Sequence, residues 1–283
     1  MRLHEALQLV TELGAPAAYA LLLWWFTTGV ILFLDGLPQA TFRSSMAIAT
    51  AILLPTLYVL RSSAADLSVS GAYVAFSCAV LVWGWLEMSF LMGFITGPRT
   101  HACVERCFGW RHFVHAAQAI AYNEIATLLG ATGVLVATWG EPNRVALWTF
   151  MVLWAMRLSA KLNLFLGVPN VGEKFLPAHL QYVKSFFRKR SMNFLFPLSV
   201  SVSTVVLVLL AHKYKTAADP ARGVSYALVS SLLALAVLEH WFMVLPLPSE
   251  RLWNWALGKR RDSVGVDFLS QKDAPTQSRP NSA

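Results

Sequence analysis

Six ionisable residues stand inside long apolar runs of this chain: Glu87, Glu124, Arg157, Lys161, Glu239 and His240. Three carboxylates, two strong cations and an imidazole could pair into an ion network or pass protons. They could also ligate a metal or the magnesium of a chlorin. Arg157 and Lys161 are four residues apart and share one face of a helix. Ser159 and Asn163, also four apart, face the other way and suit hydrogen bonds between helices. Glu239 and His240 are adjacent, about 100° apart around a helix, so both reach one site only obliquely. Carboxylates plus histidine from facing helices resemble the ligand supply of di-iron bundles, yet no Glu-x-x-His pair occurs on these runs. Glu87, Glu124, Glu239 and His240 are therefore weak metal candidates, and His115 and His240 are the candidate pigment ligands. A buried ion-pair network that fixes helix register is the plainer account of the same residues.

A second constellation lies before the fourth apolar run, where His101, Cys103, Glu105, Cys107 and His112 fall within twelve positions. These types suit zinc, but Cys-x-x-x-Cys is not the usual two-residue knuckle. In a reducing cytoplasm two free thiols are the plainer expectation. His115, Gln118 and Tyr122 share one face of the run that follows. Glu124 sits nearly opposite, so the two sets cannot serve one small site unless that helix is unwound; Asn123 lies between them. No Walker loop, dinucleotide glycine pattern, nucleophile elbow or His-Glu-x-x-His motif is present.

The elements that must hold these residues follow from composition. Of 283 residues, 56% are of the set AVILMFWYC and 13% are charged, with 11 Trp and a mean hydropathy of +0.53. That charged share is about half the usual one, and a soluble fold could not hide so much apolar surface. Lipid is the expected solvent, and the net charge of +8 bears on membrane orientation rather than nucleic acid. Windows of about 20 residues give an all-α, polytopic protein. Its seven spans are Ala15–Leu34, Ser45–Leu60, Val69–Ile95, Phe113–Trp139, Val145–Val168, Phe194–Ala211 and Val224–Leu247. They form a single domain over residues 1–261, followed by a disordered tail over 262–283 rich in Ser, Pro, Gln and Asp.

Lys and Arg divide unequally between the two sides, 6 on the side of the N-terminus and 15 on the other. Positive charge stays cytoplasmic, which predicts N-out and C-in. Two cytoplasmic interfacial amphipathic helices are also expected. One carries Leu176, Leu180, Val183 and Phe187 as a stripe, beside Lys184, Arg188, Lys189 and Arg190. The other places Leu252, Trp253 and Trp255 ahead of Lys259, Arg260 and Arg261. In this orientation the six embedded residues share a layer in the cytoplasmic half. Unpaired, each ionised one costs about 2.5–3.5 kcal/mol, so pairing inside the bundle is required. The fifth span, polar on two sides, is expected to be central.

Several stretches are unusual for membrane helices. They are Arg157-Leu158-Ser159-Ala160-Lys161-Leu162-Asn163 running on to Gly167-Val168-Pro169, Trp83-Gly84-Trp85-Leu86-Glu87 leading to Thr96-Gly97-Pro98, Met192-Asn193-Phe194-Leu195-Phe196-Pro197, and Leu238-Glu239-His240-Trp241 leading to Pro246-Leu247-Pro248. Together they resemble the PuhE family of purple phototrophic bacteria, photosynthetic complex assembly proteins encoded beside the reaction-centre H subunit. The resemblance runs from the first apolar segment to about Trp255. It implies a multi-pass protein of the bacterial inner (intracytoplasmic) membrane that supports formation of reaction-centre and core antenna complexes. Partners would be reaction-centre or antenna subunits and pigment-synthesis enzymes, with bacteriochlorophyll or a precursor as the implied ligand. The alternative is a membrane-embedded, metal-dependent enzyme of bacteriochlorophyll synthesis. The resemblance implies no catalytic residue.

Overall fold

The computed structural model describes residues 3–103 and 107–257. Glu105, Lys259, Arg260, Arg261 and the tail over 262–283 lie outside the described residues. Seven α-helices run through the described chain: α1 Leu3–Asp35, α2 Phe42–Ser63, α3 Val69–Leu91, α4 Gly109–Ala137, α5 Val145–Leu166, α6 Leu195–Lys215 and α7 Pro220–Val244. All seven are long and apolar enough to cross a membrane, and the described residues contain no strand.

Local chemistry sets the helix ends. Ser68 caps α3, its Oγ accepting from the Gly71 amide at 3.0 Å. Asp219 caps α7 by accepting from the Arg222 amide at 2.9 Å, with Pro220 in the first turn. The Asn193 carbonyl oxygen accepts from the Leu195 and Phe196 amides and starts α6. Its NH2 donates to the Gly167 and Asn163 carbonyls, clamping the end of α5 to the start of α6. Asn143 does the same at the opposite end of the bundle. Its side-chain nitrogen lies 3.0, 2.9 and 3.2 Å from the carbonyl oxygens of Ser63, Asp66 and Gly71, fastening the α4–α5 turn to the α2–α3 turn.

Packing makes α3 the hub. It lies against α1, α2, α4, α5 and α7, with Phe76, Ala79 and Ala75 fully enclosed. The fifth span was the expected centre; α5 packs against α3, α4, α6 and α7, but α3 is the more deeply buried because its small residues (Ala72, Ala75, Ala79) admit close neighbours on all sides. Four spans stop short of their expected ends: α3 at Leu91 rather than Ile95, α4 at Ala137 rather than Trp139, α5 at Leu166 rather than Val168 and α7 at Val244 rather than Leu247. A glycine with positive φ follows α3 and α5, Gly93 and Gly167, and Pro246 and Pro248 follow α7. α2 extends further than Ser45–Leu60 at both ends.

The two segments expected to be interfacial amphipathic helices bury part of their apolar residues against the bundle. Ala178–Phe186 is a 3-10 helix, so the enclosed residues are Leu180, Val183 and Phe186, three apart. Leu180 and Val183 close over Phe90 of α3, with Leu176 and Phe187 at the margin. Past Pro246 and Pro248 the chain forms another 3-10 turn over Ser249–Trp253, and Trp253, Ala256 and Leu257 bury against Leu32 of α1. The Trp25 indole donates to the Leu252 carbonyl at 2.9 Å, and the Trp253 indole to the Trp25 carbonyl at 3.0 Å.

Candidate functional site

The embedded charges meet across the bundle, and α5 deals them out. Arg157 makes a two-pronged contact with Glu87 of α3, Nε to Oε1 at 3.1 Å and Nη2 to Oε2 at 2.9 Å. One turn on, Lys161 donates to Glu124 of α4 at 2.6 Å and lies 5.6 Å from the centre of the Phe90 ring. The planar fork of arginine matches a carboxylate, while the lysine ammonium acts as a point charge against both partners.

The other face of α5 points to α6 and α7. Ser159 Oγ stands 2.9 Å from both Ser199 Oγ and His240 Nε2. His240 Nδ1 lies 2.9 Å from the Ala236 carbonyl oxygen; since a carbonyl only accepts, that nitrogen carries a proton. Asn163, fully buried, sends its NH2 to the Ser159 carbonyl at 3.0 Å.

Two cations for three carboxylates leave one over, and it is Glu239. Its Oε1 accepts from the Trp24 indole of α1 at 3.2 Å, and among the described residues it makes no ion pair. Glu239 opens into a cavity of about 750 Å³, whose lining also includes Glu87, Glu124, Arg157 and Lys161. The remaining wall is apolar and aromatic, with Trp24, Phe90, Phe165, Phe186 and Trp253 prominent. Arg157 keeps 39% of its side-chain surface exposed, so its guanidinium has donors to spare for an occupant. The volume falls within the range of about 300–1,000 Å³ typical of sites for small organic molecules, and a mostly apolar wall with a few converging polar groups is their usual make-up.

Asn170, which sequence reasoning missed, shapes the floor. Its amide donates to the Met243 carbonyl at 2.9 Å, and its side chain donates to the carbonyls of Phe242 and Leu245. These are carbonyls that the prolines after α7 leave without helical partners. The available signal was the pair Pro246 and Pro248. Thr96-Gly97-Pro98, outside the cavity lining, packs closely against α4. The Asn123 amide donates to the Thr96 carbonyl at 3.0 Å, and a Cβ on Gly97 would stand 2.0 Å from the Gln118 carbonyl oxygen. Only glycine allows that approach.

The candidate ligands sort unevenly. Both ring nitrogens of His240 already face protein partners, so it would have to leave Ser159 to reach a pigment. His115 does not line the cavity; it sits near the start of α4, its Nδ1 3.5 Å from Cys103 Sγ and 3.3 Å from Cys107 Sγ. Among the described residues those three are the group whose ligand atoms close to within 4.8 Å of one another. Glu87, Glu124, Glu239 and His240 form no such group. His112 turns elsewhere and stacks on Phe165 with 5.5 Å between ring centres.

Known proteins supply a family. A relative from Rhodobacter capsulatus, described as an uncharacterized 30.4 kDa protein in the puhA 5′ region, is 38% identical over 250 residues, which cover 87% of this chain and 91% of the relative. No solved structure matches. Residues 10–264, which take in nearly the whole described bundle, match the family described as Protein of unknown function (DUF3623), and the chain belongs to that family.

Proposed function

We propose that this protein is an assembly factor for photosynthetic complexes in the bacterial inner membrane, and that its cavity holds a pigment or a pigment precursor on the way to a reaction-centre or antenna subunit. The observation that carries the reading is the cavity. A hydrophobic space of about 750 Å³ inside a bundle built to cross a membrane meets an unpaired carboxylate and a partly open guanidinium at one level. A large, mostly apolar ring system with polar substituents at its edge suits that wall. Aromatic side chains stack on its faces, Arg157 donates to carbonyl or carboxylate oxygens, and Glu239 accepts from a ring N–H or reaches a ring-bound metal. The relative in the puhA 5′ region and the resemblance to the PuhE family supply the photosynthetic context.

Arg157–Glu87 and Lys161–Glu124 fix the helices that form the wall, so the cavity keeps its shape when the occupant leaves. The test joins two measurements. Deleting the gene in a phototrophic host should lower the reaction-centre absorbance of membranes, and protein purified from pigment-making cells in mild detergent should carry a visible absorption spectrum. Changing Glu239 to Gln should reduce that co-purified pigment while leaving elution on gel filtration unchanged. Colourless protein together with normal reaction-centre levels in the deletion strain would overturn the proposal.

A further inference from the structure

We infer that Cys103, Cys107 and His115 form a binding site for a single thiophilic divalent cation, with zinc the best fit. Sulfur–nitrogen distances of 3.5 and 3.3 Å carry the argument. A tetrahedral zinc with Zn–S near 2.3 Å and Zn–N near 2.0–2.1 Å has a sulfur–nitrogen edge of about 3.5 Å. Both sulfur–nitrogen edges thus already have the length that a tetrahedral site requires, and the two sulfurs lie within 4.8 Å of one another. The same nitrogen, Nδ1, points at both sulfurs, which is the convergence a shared cation requires.

Ligand chemistry narrows the ion. Two thiolates and an imidazole select zinc or ferrous iron over magnesium or calcium, which take oxygen ligands. Binding is balanced by protons. Each thiol releases one to solvent, so two thiolates neutralise the divalent cation. His115 presents the lone pair of Nδ1 and keeps its proton on Nε2. The fourth position is left for water or an incoming group, as in Cys2His catalytic zinc sites.

The position of the site gives it consequence. The Cys103 amide donates to Ser185 Oγ at 2.9 Å, tying the loop before α4 to the 3-10 helix Ala178–Phe186. That helix places Val183 and Phe186 in the cavity wall. A bound cation would pin the start of α4, the preceding loop and, through Ser185, this wall segment to one point. The inference is independent of what the cavity holds.

The test uses the full chain purified in mild detergent under reducing conditions, with an affinity tag free of histidine. Metal analysis should find about one zinc or iron per chain, falling at least about tenfold in Cys103→Ser, Cys107→Ser or His115→Ala. Cys78→Ala, which alters the thiol buried in α3, should leave the content unchanged. Cobalt added to metal-stripped wild-type protein should give a sulfur-to-metal charge-transfer band and the visible absorption of a tetrahedral ion, and zinc should abolish both. Because this second measurement uses the unaltered chain, it stands even if a variant fails to fold. Metal-free reduced protein that gives no charge-transfer band with cobalt would overturn the inference. So would a metal content that survives all three substitutions.

Discussion

Replacing Arg157 with Leu strips Glu87 of its partner in the middle of the bundle, and the expected loss can be worked out from the contact. The pair is joined by two charge-assisted bonds, 3.1 and 2.9 Å long, and the Glu87 side chain is only 15% exposed. Breaking a buried pair by removing one partner costs about 3–5 kcal/mol. Arg157 is 39% exposed toward the cavity, so the pair is partly screened and about 2–3 kcal/mol is the better expectation. For a chain of this size that lowers the melting temperature by about 4–12 °C. Glu87→Leu should cost less, about 1–2 kcal/mol, because Arg157 still feels Glu239 and Glu124. The double variant should be more stable than Arg157→Leu alone, a coupling that only a direct pair produces. Thermal melts of the four proteins in one detergent, followed by intrinsic tryptophan fluorescence, measure it. An Arg157→Leu melt within about 1 °C of wild type, or a double variant whose loss equals the sum of the singles, would refute the pairing argument.

Three further expectations rest on other parts of the structure. Gly97→Ala drives a methyl group to within 2.0 Å of the Gln118 carbonyl; it should cost about 2 kcal/mol or more and show as reduced membrane accumulation against a fluorescent fusion. Asn143→Ala removes one donor from the carbonyls of Ser63, Asp66 and Gly71 and should lose about 1–3 kcal/mol, read as a lower melting temperature in the same assay. Glu173 is held below its ordinary value of 4.5, first by the hydrogen bond from Lys189, despite some opposing burial. A depressed carboxylate stabilises above its unfolded value and loses that contribution as pH falls through the folded one. Hydrogen exchange over 173–189, corrected for intrinsic rates, should therefore rise as pH drops below 4.5, and Lys189→Ala should remove most of that dependence. The effect will be small, since Glu173 and Lys189 are both largely exposed.

The seven spans were legible because lipid imposes a simple rule on composition, and the embedded charges were legible because lipid penalises them. Which carboxylate met which cation was not, since Glu87 and Arg157 are 70 residues apart and depth alone left every pairing open. The protein contacts of the two amphipathic segments were not legible either, for a related reason. An apolar stripe such as Leu180, Val183 and Phe187 announces burial without naming the partner, and the 3-10 winding shifted the buried residue from Phe187 to Phe186. The Cys103–Cys107–His115 convergence escaped because His115 was assigned to a helix face and the thiols to a loop. Only the turn of backbone into α4 joins them. Asn170 and Asn193 gave no periodic signal at all; their work is to satisfy carbonyls at helix ends that sequence shows only as nearby glycine or proline.

The docking of Trp253 and Leu252 onto Trp25 has a consequence for how the molecule is made. The first helix leaves the ribosome earliest, yet part of the surface it rests on, residues 249–257, is made only after all seven helices. Until residues near 257 emerge, Trp24 and its neighbours border an unfinished chamber, open along one seam. That side of the cavity thereby waits for residues near 253, and a chain shortened before them would have all seven helices and lack the Trp253 part of the wall.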